Sequence, residues 1–428
     1  MAPKRTLAAA VVLALSTLGL AACSGDDDGS SSGGDVTMEL WQNSTTGPGK
    51  AFWEKTVADF QTAHPNVKIK LQSIQNEDLD GKLQTALNSG SAPDIFLQRG
   101  GGKMAAMVEA GQLKDVTDAI SPETKQAVGE AALKTAQVDG KAYAVPVSIL
   151  PGGLWYSQDL FKQAGVSSPP ATLDELNAAV TKLKAKGTPI ALGAKDAWPA
   201  AHWFYFFALR ACNQATLDAT AKSKTFDDPC WTRAGEQLKA FADTKPFNEG
   251  FLTTSAQQGA GSSAGLLANH KASMELMGAW DPGVIASLTK DTKPLPDLGF
   301  FPFPAVSGGQ GDPAAVMGGA DGYSCSAKAP KECADFLNYI VTKDVQEAYY
   351  KAFNSLPVNK QAQSAITEPY LKAVLDAYNK APYVSQWLDT VYGQNVGNAL
   401  NVGVVNLLAG KGDVAGIIKA VNDAAKKG

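Results

Sequence analysis

Short alternating or apolar runs recur along this chain, with amphipathic helical stretches between them. Val36 to Trp41 alternates and predicts a first strand; a Gly-Pro-Gly loop follows, and from about Lys50 the residues Phe52, Val57 and Phe60 share a helical face. Asn66 to Ile74 predicts a second strand, Leu79 to Leu87 a helix, and Asp94 to Gln98 a third strand. Strand–helix–strand–helix order predicts an α/β fold, a mostly parallel sheet with helices on both faces. The third strand runs into Arg99-Gly100-Gly101-Gly102, at the strand end where open α/β sheets place ligands. Glycine there lets a backbone come close, so Gln98, Arg99 and Gly100 are candidate contacts; the competing reading is a turn that only starts a helix over Lys103 to Glu109.

Further on, Asp139-Gly140 predicts a hairpin turn feeding a strand over Ala142 to Ile149. Thr172 and Glu175 form a capping box for a helix reaching about Lys186, and Pro189 to Leu192 reads as a strand. Trp198 to Cys212 predicts an aromatic-rich helix whose rings cannot all face one way; Trp198 and Trp203, nearest its start, are placed at a cleft or in the core. Gly259, Gly261 and Gly265 miss a dinucleotide fingerprint by one residue and follow no clear strand, so no phosphate loop is read there. Met274 to Met277 predicts a buried strand, ended by Gly278, Trp280 and a turn at Asp281-Pro282-Gly283. A Trp at a strand end suits a flat platform at the lip of a cleft, against the plainer reading of a ring capping a core edge. Leu298 to Ala305 is strand-like, Lys331 to Val341 helical, and the tail predicts helices around 371–378, 387–408 and 414–425.

The N-terminus changes the picture. Lys4 and Arg5 precede an apolar run from Leu7 to Leu20, too short to span a bilayer and suited to a signal peptide. The run ends Leu20-Ala21-Ala22-Cys23, similar to a bacterial lipobox in which Cys23 is acylated; the alternative is an ordinary secretory signal with an incidental Cys. Acyl chains contribute ~0.8 kcal/mol per buried CH₂, so two or three would anchor the chain to the cell membrane. Residues 23–35, rich in Gly, Ser and Asp, predict a disordered tether. Without residues 1–22 the net charge is 36 − 42 = −6, which argues against a nucleic-acid partner. Export implies an oxidising compartment, and Cys212, Cys230, Cys325 and Cys333 are enough for two disulfides, the sequence-local pairing being one of three connectivities.

Several segments resemble the extracellular solute-binding proteins of carbohydrate ABC importers, the maltose-binding-protein-like group. His270 to Gly283 (HKASMELMGAWDPG) is similar to that family's "gkaAM…G-W" segment. Ala92-Pro93-Asp94-Ile95-Phe96, the stretch from Asp139 to Pro146, Leu154-Trp155-Tyr156, Gly318 to Tyr323, and Leu356-Pro357 match other family segments, together covering nearly all of the chain after residue 35. The resemblance implies two α/β lobes joined by a hinge, with a ligand cleft between them: residues 36–146 and 320–360 in lobe 1, and 147–319 and 361–428 in lobe 2. It also implies an extracytoplasmic monomer that captures a mono- or oligosaccharide by hinge closure and delivers it to a membrane permease.

The candidate chemistry agrees. Trp41, Tyr156, Trp198, Trp280, Tyr323 and Trp387 lie at loop or strand ends, where aromatic faces suit the C–H faces of sugars; Asn43, Arg99, Asp281 and Asp321 suit the hydroxyl rim. No hydrolase, zinc-protease or P-loop motif is present, and His64, His202 and His270 lack metal or triad spacing, so no enzyme activity, cofactor or metal is expected. A glycoside hydrolase is the rival reading, since two carboxylates can sit anywhere in sequence; a peptide or polyamine carrier is another.

Overall fold

The computed structural model describes residues 34–427; the expected signal segment, the lipidation site Cys23 and the tether up to residue 33 lie outside them. The strands in chain order are β1 (Val36–Gln42), β2 (Val67–Ser73), β3 (Ile95–Gln98), β4 (Gln137–Val138), β5 (Lys141–Ala142), β6 (Val145–Pro146), β7 (Gly152–Ser157), β8 (Thr188–Ala191), β9 (Ala272–Gly278), β10 (Leu298–Phe301), β11 (Val316–Gly318), β12 (Gly322–Cys325) and β13 (Val384–Gln386).

The first half is built on a five-stranded sheet in the order β2-β1-β3-β12-β6. β1 runs parallel to β2 and β3, while β12 is antiparallel to β3 and β6. β3 is buried along its whole length. Phe96 packs with Leu83, Leu87 and Met104 on one side, and Ile95 and Leu97 join the larger core with Val57 and Phe60 on the other. Burial on both faces explains why this strand reads as a continuous apolar run, whereas β2 alternates.

The second half is built on a four-stranded sheet, β10-β7-β9-β8. β9 pairs antiparallel with β7 and parallel with β8. The Trp198–Ala211 helix lies against it and is buried all round from Pro199 onward. Arg210, near that helix's end, is buried and donates to the backbone carbonyls of Phe303 (2.7 Å), Pro304 (3.1 Å), Asp312 (3.2 Å) and Ala315 (3.0 Å). This clamps the 303–315 loop over the helix end. The same region carries the Cys212–Cys230 disulfide; the second, Cys325–Cys333, ties β12 to the following helix. Both pairs are the sequence-local ones.

Three segments cross between the halves side by side. Val147 and Ser148 donate to the Asp321 carbonyl (2.8 and 3.2 Å), Leu150 to Gly319 (2.8 Å), and Ile149 to Leu356 (3.3 Å), while Val358 donates back to Val147 (3.2 Å). The crossings are therefore 147–151, 319–321 and 355–358, braced by backbone hydrogen bonds, which leaves rotation about these strands as the easy motion.

Two expected elements differ. Asp281-Pro282-Gly283 opens a helix, Asp281–Leu288, rather than a free turn, because proline's fixed φ and missing N–H suit a helix's first turn. The helical stretch from Trp387 is broken into Leu388–Val391 and Gln394–Leu408 at Gly393, whose φ is 85°.

Candidate ligand cleft between the two halves

The wall contributed by the second half is aromatic. Trp198 opens its helix, and His202 follows one turn later on the same face. His202 stacks on Trp387 at 4.3 Å between centroids, Trp280 meets Trp387 at 5.6 Å, and Trp198 meets Trp280 edge-on at 6.1 Å. Glycines seat the indoles. A Cβ on Gly278 would fall 2.1 Å from the Trp280 ring, and one on Gly152 would fall 2.5 Å from the Trp387 ring. A Cβ on Gly319 would lie 3.4 Å from Trp387 Nε1, which turns that indole edge towards the crossing strands.

The polar atoms of this wall are unmet. Trp198 Nε1, Trp280 Nε1, Trp387 Nε1 and His202 Nδ1 have no hydrogen-bond partner among the described residues. Burial holds His202 neutral, with its pKa lowered to about 4 against the pull of Asp389. Glu275 on β9 and Asp281, which opens the next helix, are fully buried; the two carboxyls hydrogen-bond each other, and Ser263 bonds Glu275 as well. Burial, and then the charge of Asp281, pushes Glu275 well above the usual carboxylate range. Burial raises Asp281 to about 7, with Glu275 holding it back. A buried polar group left unpaired costs about 1–3 kcal/mol, and Trp203 Nε1 and Trp231 Nε1 in the adjoining core are unmatched as well, so what sets this wall apart is the half-exposure of Trp198 and Trp280.

The wall from the first half is polar, and its groups are already matched. Gln98 is buried and accepts from the amides of Arg99 (3.0 Å) and Gly100 (3.3 Å), fixing the turn after β3. Gly100 has φ 72°, and a Cβ there would lie 2.3 Å from the Thr135 carbonyl, so glycine is required. Arg99 donates to Asp80 and to Asn76 (2.7 Å), Lys103 donates to Asp80 (2.9 Å), and Asn43 donates to Asn76 (3.3 Å). Burial would raise the Asp80 carboxyl, but Arg99 and Lys103 outweigh it and hold the pKa at about 2. Trp41 is half-buried, its Nε1 bound to Glu39 (2.8 Å). Asp321, on the middle crossing strand, is half-buried; burial raises its carboxyl while Arg99 opposes that.

The halves already touch. Gln258 donates to Glu77 across the gap (3.2 Å), and a Cβ on Gly283 would sit 2.1 Å from the Phe353 carbonyl. A Cβ on Gly101 would lie 2.9 Å from the Thr390 carbonyl oxygen, and one on Gly102 2.5 Å from that of Val391.

Thus the structure groups Trp198, Trp280, Asp281 and Trp387 on one side, Asn43, Gln98, Arg99 and Gly100 on the other, with Trp41 beside Glu39 and Asp321 at the crossing. Three expected contacts fall elsewhere. Trp203 is fully buried, stacked on Phe241 at 5.0 Å. Tyr323 is buried edge-on to Trp53 at 4.8 Å, inside the first core. Tyr156 lies four residues along β7 from Gly152, ~13 Å away at the strand's far end, against Phe161 and Phe301. Sequence reasoning missed His202 and Glu275. The spacing of His202 from Trp198 marks one helical face, but nothing in Met274-Glu275-Leu276-Met277 tells a buried carboxyl from an exposed one.

Comparison with known proteins agrees with this architecture. A family model described as bacterial extracellular solute-binding protein matches residues 42–347, well over half of the chain. The diacetylchitobiose binding protein DasA of Streptomyces coelicolor is 26% identical over 372 residues, covering 84% of this chain and 83% of its own. The multiple sugar-binding protein of Streptococcus mutans is 25% identical, covering 88% and 87%. Among solved structures, a chitin oligosaccharide binding protein superposes with a TM-score of 0.83 at 25% identity, over 92% of this chain and 99% of that one.

Proposed function

The chain belongs to the bacterial extracellular solute-binding proteins, and from that premise we propose that it captures a mono- or oligosaccharide between its halves and delivers it to the permease of an ABC importer. Two observations support the reading: Trp198, His202, Trp280 and Trp387 cluster on the second half, and Asn43, Asn76, Arg99 and Lys103 form a polar network on the first. Sugar rings have apolar faces and hydroxyl edges, so they match such a pair of surfaces on both counts. The halves correspond to residues 36–146 with 320–360 and 147–319 with 361–428. Ligand contact with both walls shifts the open–closed equilibrium towards closed, with motion about the three crossing strands. In this reading the protein is a monomer held at the outer face of the cell membrane by acylated Cys23, so Cys23→Ala releases it into the medium.

Binding without turnover is the expected behaviour. Glu275 and Asp281 adjoin each other, buried, instead of flanking the gap, which is unlike the paired carboxylates of a glycosidase. A thermal-shift screen over mono- and oligosaccharides tests the proposal. A ligand at 100 times its Kd adds about 2.7 kcal/mol of stability. A shift with an unaltered sugar recovered afterwards supports it; sugar cleavage, or no shift with any sugar, overturns it.

A further inference from the structure

Near the crossing strands the halves are joined by contacts that rotation need not break. Asn354 donates to the Tyr370 hydroxyl (2.7 Å), and the Tyr350 hydroxyl meets that of Thr367 (3.1 Å). A different contact lies out at the rim. Gln258 of the second half donates from Nε2 to Glu77 Oε2 of the first (3.2 Å). Glu77 follows β2, the edge strand three places from β12. At about 4.8 Å per strand spacing it stands roughly 14 Å from the crossing strand that leads into β12. A bond that far from the axis lengthens as soon as the halves rotate apart.

Both ends of this contact are tied to the cleft walls. Gln258 sits at the tip of the 255–263 loop, and Gly259, with φ 81°, turns the chain back directly after it. Ser263 donates to the Ser255 carbonyl (2.9 Å) and Ala264 to that of Ala256 (3.1 Å), which closes the base of the loop. Ser262 Oγ donates to the Gly259 carbonyl (2.7 Å) and fixes the tip. The Ala256 amide donates to Asp196 (2.7 Å), two residues before Trp198. On the other side Glu77 also accepts from Gln75 (3.3 Å) and Asn76 (3.4 Å), and Asn76 accepts from Arg99 (2.7 Å). A compact loop thus runs from the aromatic wall, over the rim, to the polar wall.

Resting on the sugar-binding reading above, we propose that the 255–263 loop is a strap that holds the cleft shut, with Gln258 and Glu77 as positioning residues that set how long a sugar stays rather than which sugar is chosen. Both side chains are exposed, so the fold does not depend on them. The bond has a direction: Gln258 supplies the N–H and Glu77 the charge. A carboxylate in place of Gln258 removes the donor and sets two like charges against each other. Asp196 adds a third, its carboxyl raised by burial and further by Glu77.

Stopped-flow tryptophan fluorescence tests this, since Trp198 and Trp280 stand in the aromatic wall and the method reads association and dissociation separately. The probes are the sugars that bind in the thermal-shift screen, starting with cellobiose, N,N′-diacetylchitobiose, maltotriose and raffinose. Gln258→Glu is expected to speed dissociation roughly five-fold in low salt while association moves by less than about two-fold. The effect shrinks below about two-fold in 1 M salt, where the Debye length is about 3 Å. Gln258→Ala, which loses the bond without adding a charge, speeds dissociation by roughly two-fold. Gln258→Glu combined with Glu77→Gln restores the parental rate, because donor and acceptor change sides and the number of charges stays the same. Each factor is the same for every sugar that binds. An unchanged dissociation rate in Gln258→Glu, or a double variant no slower than the single one, overturns the strap and leaves sugar binding standing. So does a factor that differs more than about three-fold between sugars, which would make Gln258 a ligand contact. If no sugar of any kind binds, the sugar-binding reading itself has failed.

Discussion

The two walls of the cleft solve the problem of polar groups in opposite ways. On the first half, Asn43, Asn76, Asp80, Arg99 and Lys103 satisfy one another before any ligand arrives. On the second, Trp198, His202, Trp280 and Trp387 hold ring nitrogens with no partner among the described residues. A self-satisfied network is rigid and loses little when the gap opens. Unmatched atoms next to apolar faces gain most from a guest. In the proposed reading the second half is where a ligand's binding energy concentrates, and the first half is a preset surface that closes over it.

Removing one ring from each wall tests that assignment most severely. Trp280→Ala is expected to weaken sugar binding by roughly 3 kcal/mol, on the order of 100-fold in Kd, as loss of a central aromatic anchor does. Trp41→Ala, whose N–H is already taken by Glu39, is expected to cost less than about 1 kcal/mol. Isothermal titration with the best sugar from the screen reads both. Equal losses would mean that the two walls share the energy and the asymmetry is only geometric.

The walls also respond to pH with opposite sign. Asp281 has its folded pKa raised to about 7, so it gives most stability below the unfolded value of 3.8 and loses it as pH rises towards 7. Glu275 is Asp281's partner, and Ser263, which bonds Glu275, brings no positive charge. Asp281→Asn removes the loss, and the variant is expected to be more stable than the parent at pH 8 by about 2–3 kcal/mol, with no gain at pH 4. Asp80 is held down at about 2, so its contribution is present above 3.8 and disappears as pH falls through 2. Urea unfolding from about pH 1.5 to 8 separates the two; a variant no more stable than the parent at pH 8 would show that the buried carboxyls are compensated by something else.

Asp80→Asn acts on the other wall and by less. Its partners Arg99 and Lys103 are partly exposed, so solvent screens the pairing and the expected loss of stability at pH 7 is about 1 kcal/mol. The effect should fade in 1 M salt, which the Asp281→Asn effect should not, because that pair is sealed from solvent.

The sequence carried the frame of this molecule better than its cleft. Alternation in β1 and β2 and the buried run of β3 are one-dimensional signals of sheet position, and they survive folding unchanged. The helix from Trp198 has no polar face, so periodicity cannot tell Trp198, half-exposed at the gap, from Trp203, stacked in the core. Tyr156 is at a strand end, but the wrong end, and only pairing with β9 and β10 reveals which end meets the crossing strands. The glycines that seat the indoles, Gly152 and Gly278, act across space and leave no local trace.

Ala197 offers the smallest and most discriminating change. It sits between Asp196 and Trp198 with φ 61° and ψ −48°, a conformation that a side chain disfavours by about 1–3 kcal/mol. Ala197→Gly relieves that strain but adds about 0.4–1 kcal/mol of unfolded-chain freedom, so the net gain in stability is about 0.5 kcal/mol. The same change loosens the anchor of Trp198. If the aromatic wall is where ligand energy concentrates, this variant melts slightly higher yet binds sugar two- to three-fold more weakly. Both quantities moving in the same direction would mean that the backbone at Ala197 serves only to join strand and helix, and that Trp198 holds its place by packing on Trp280 alone.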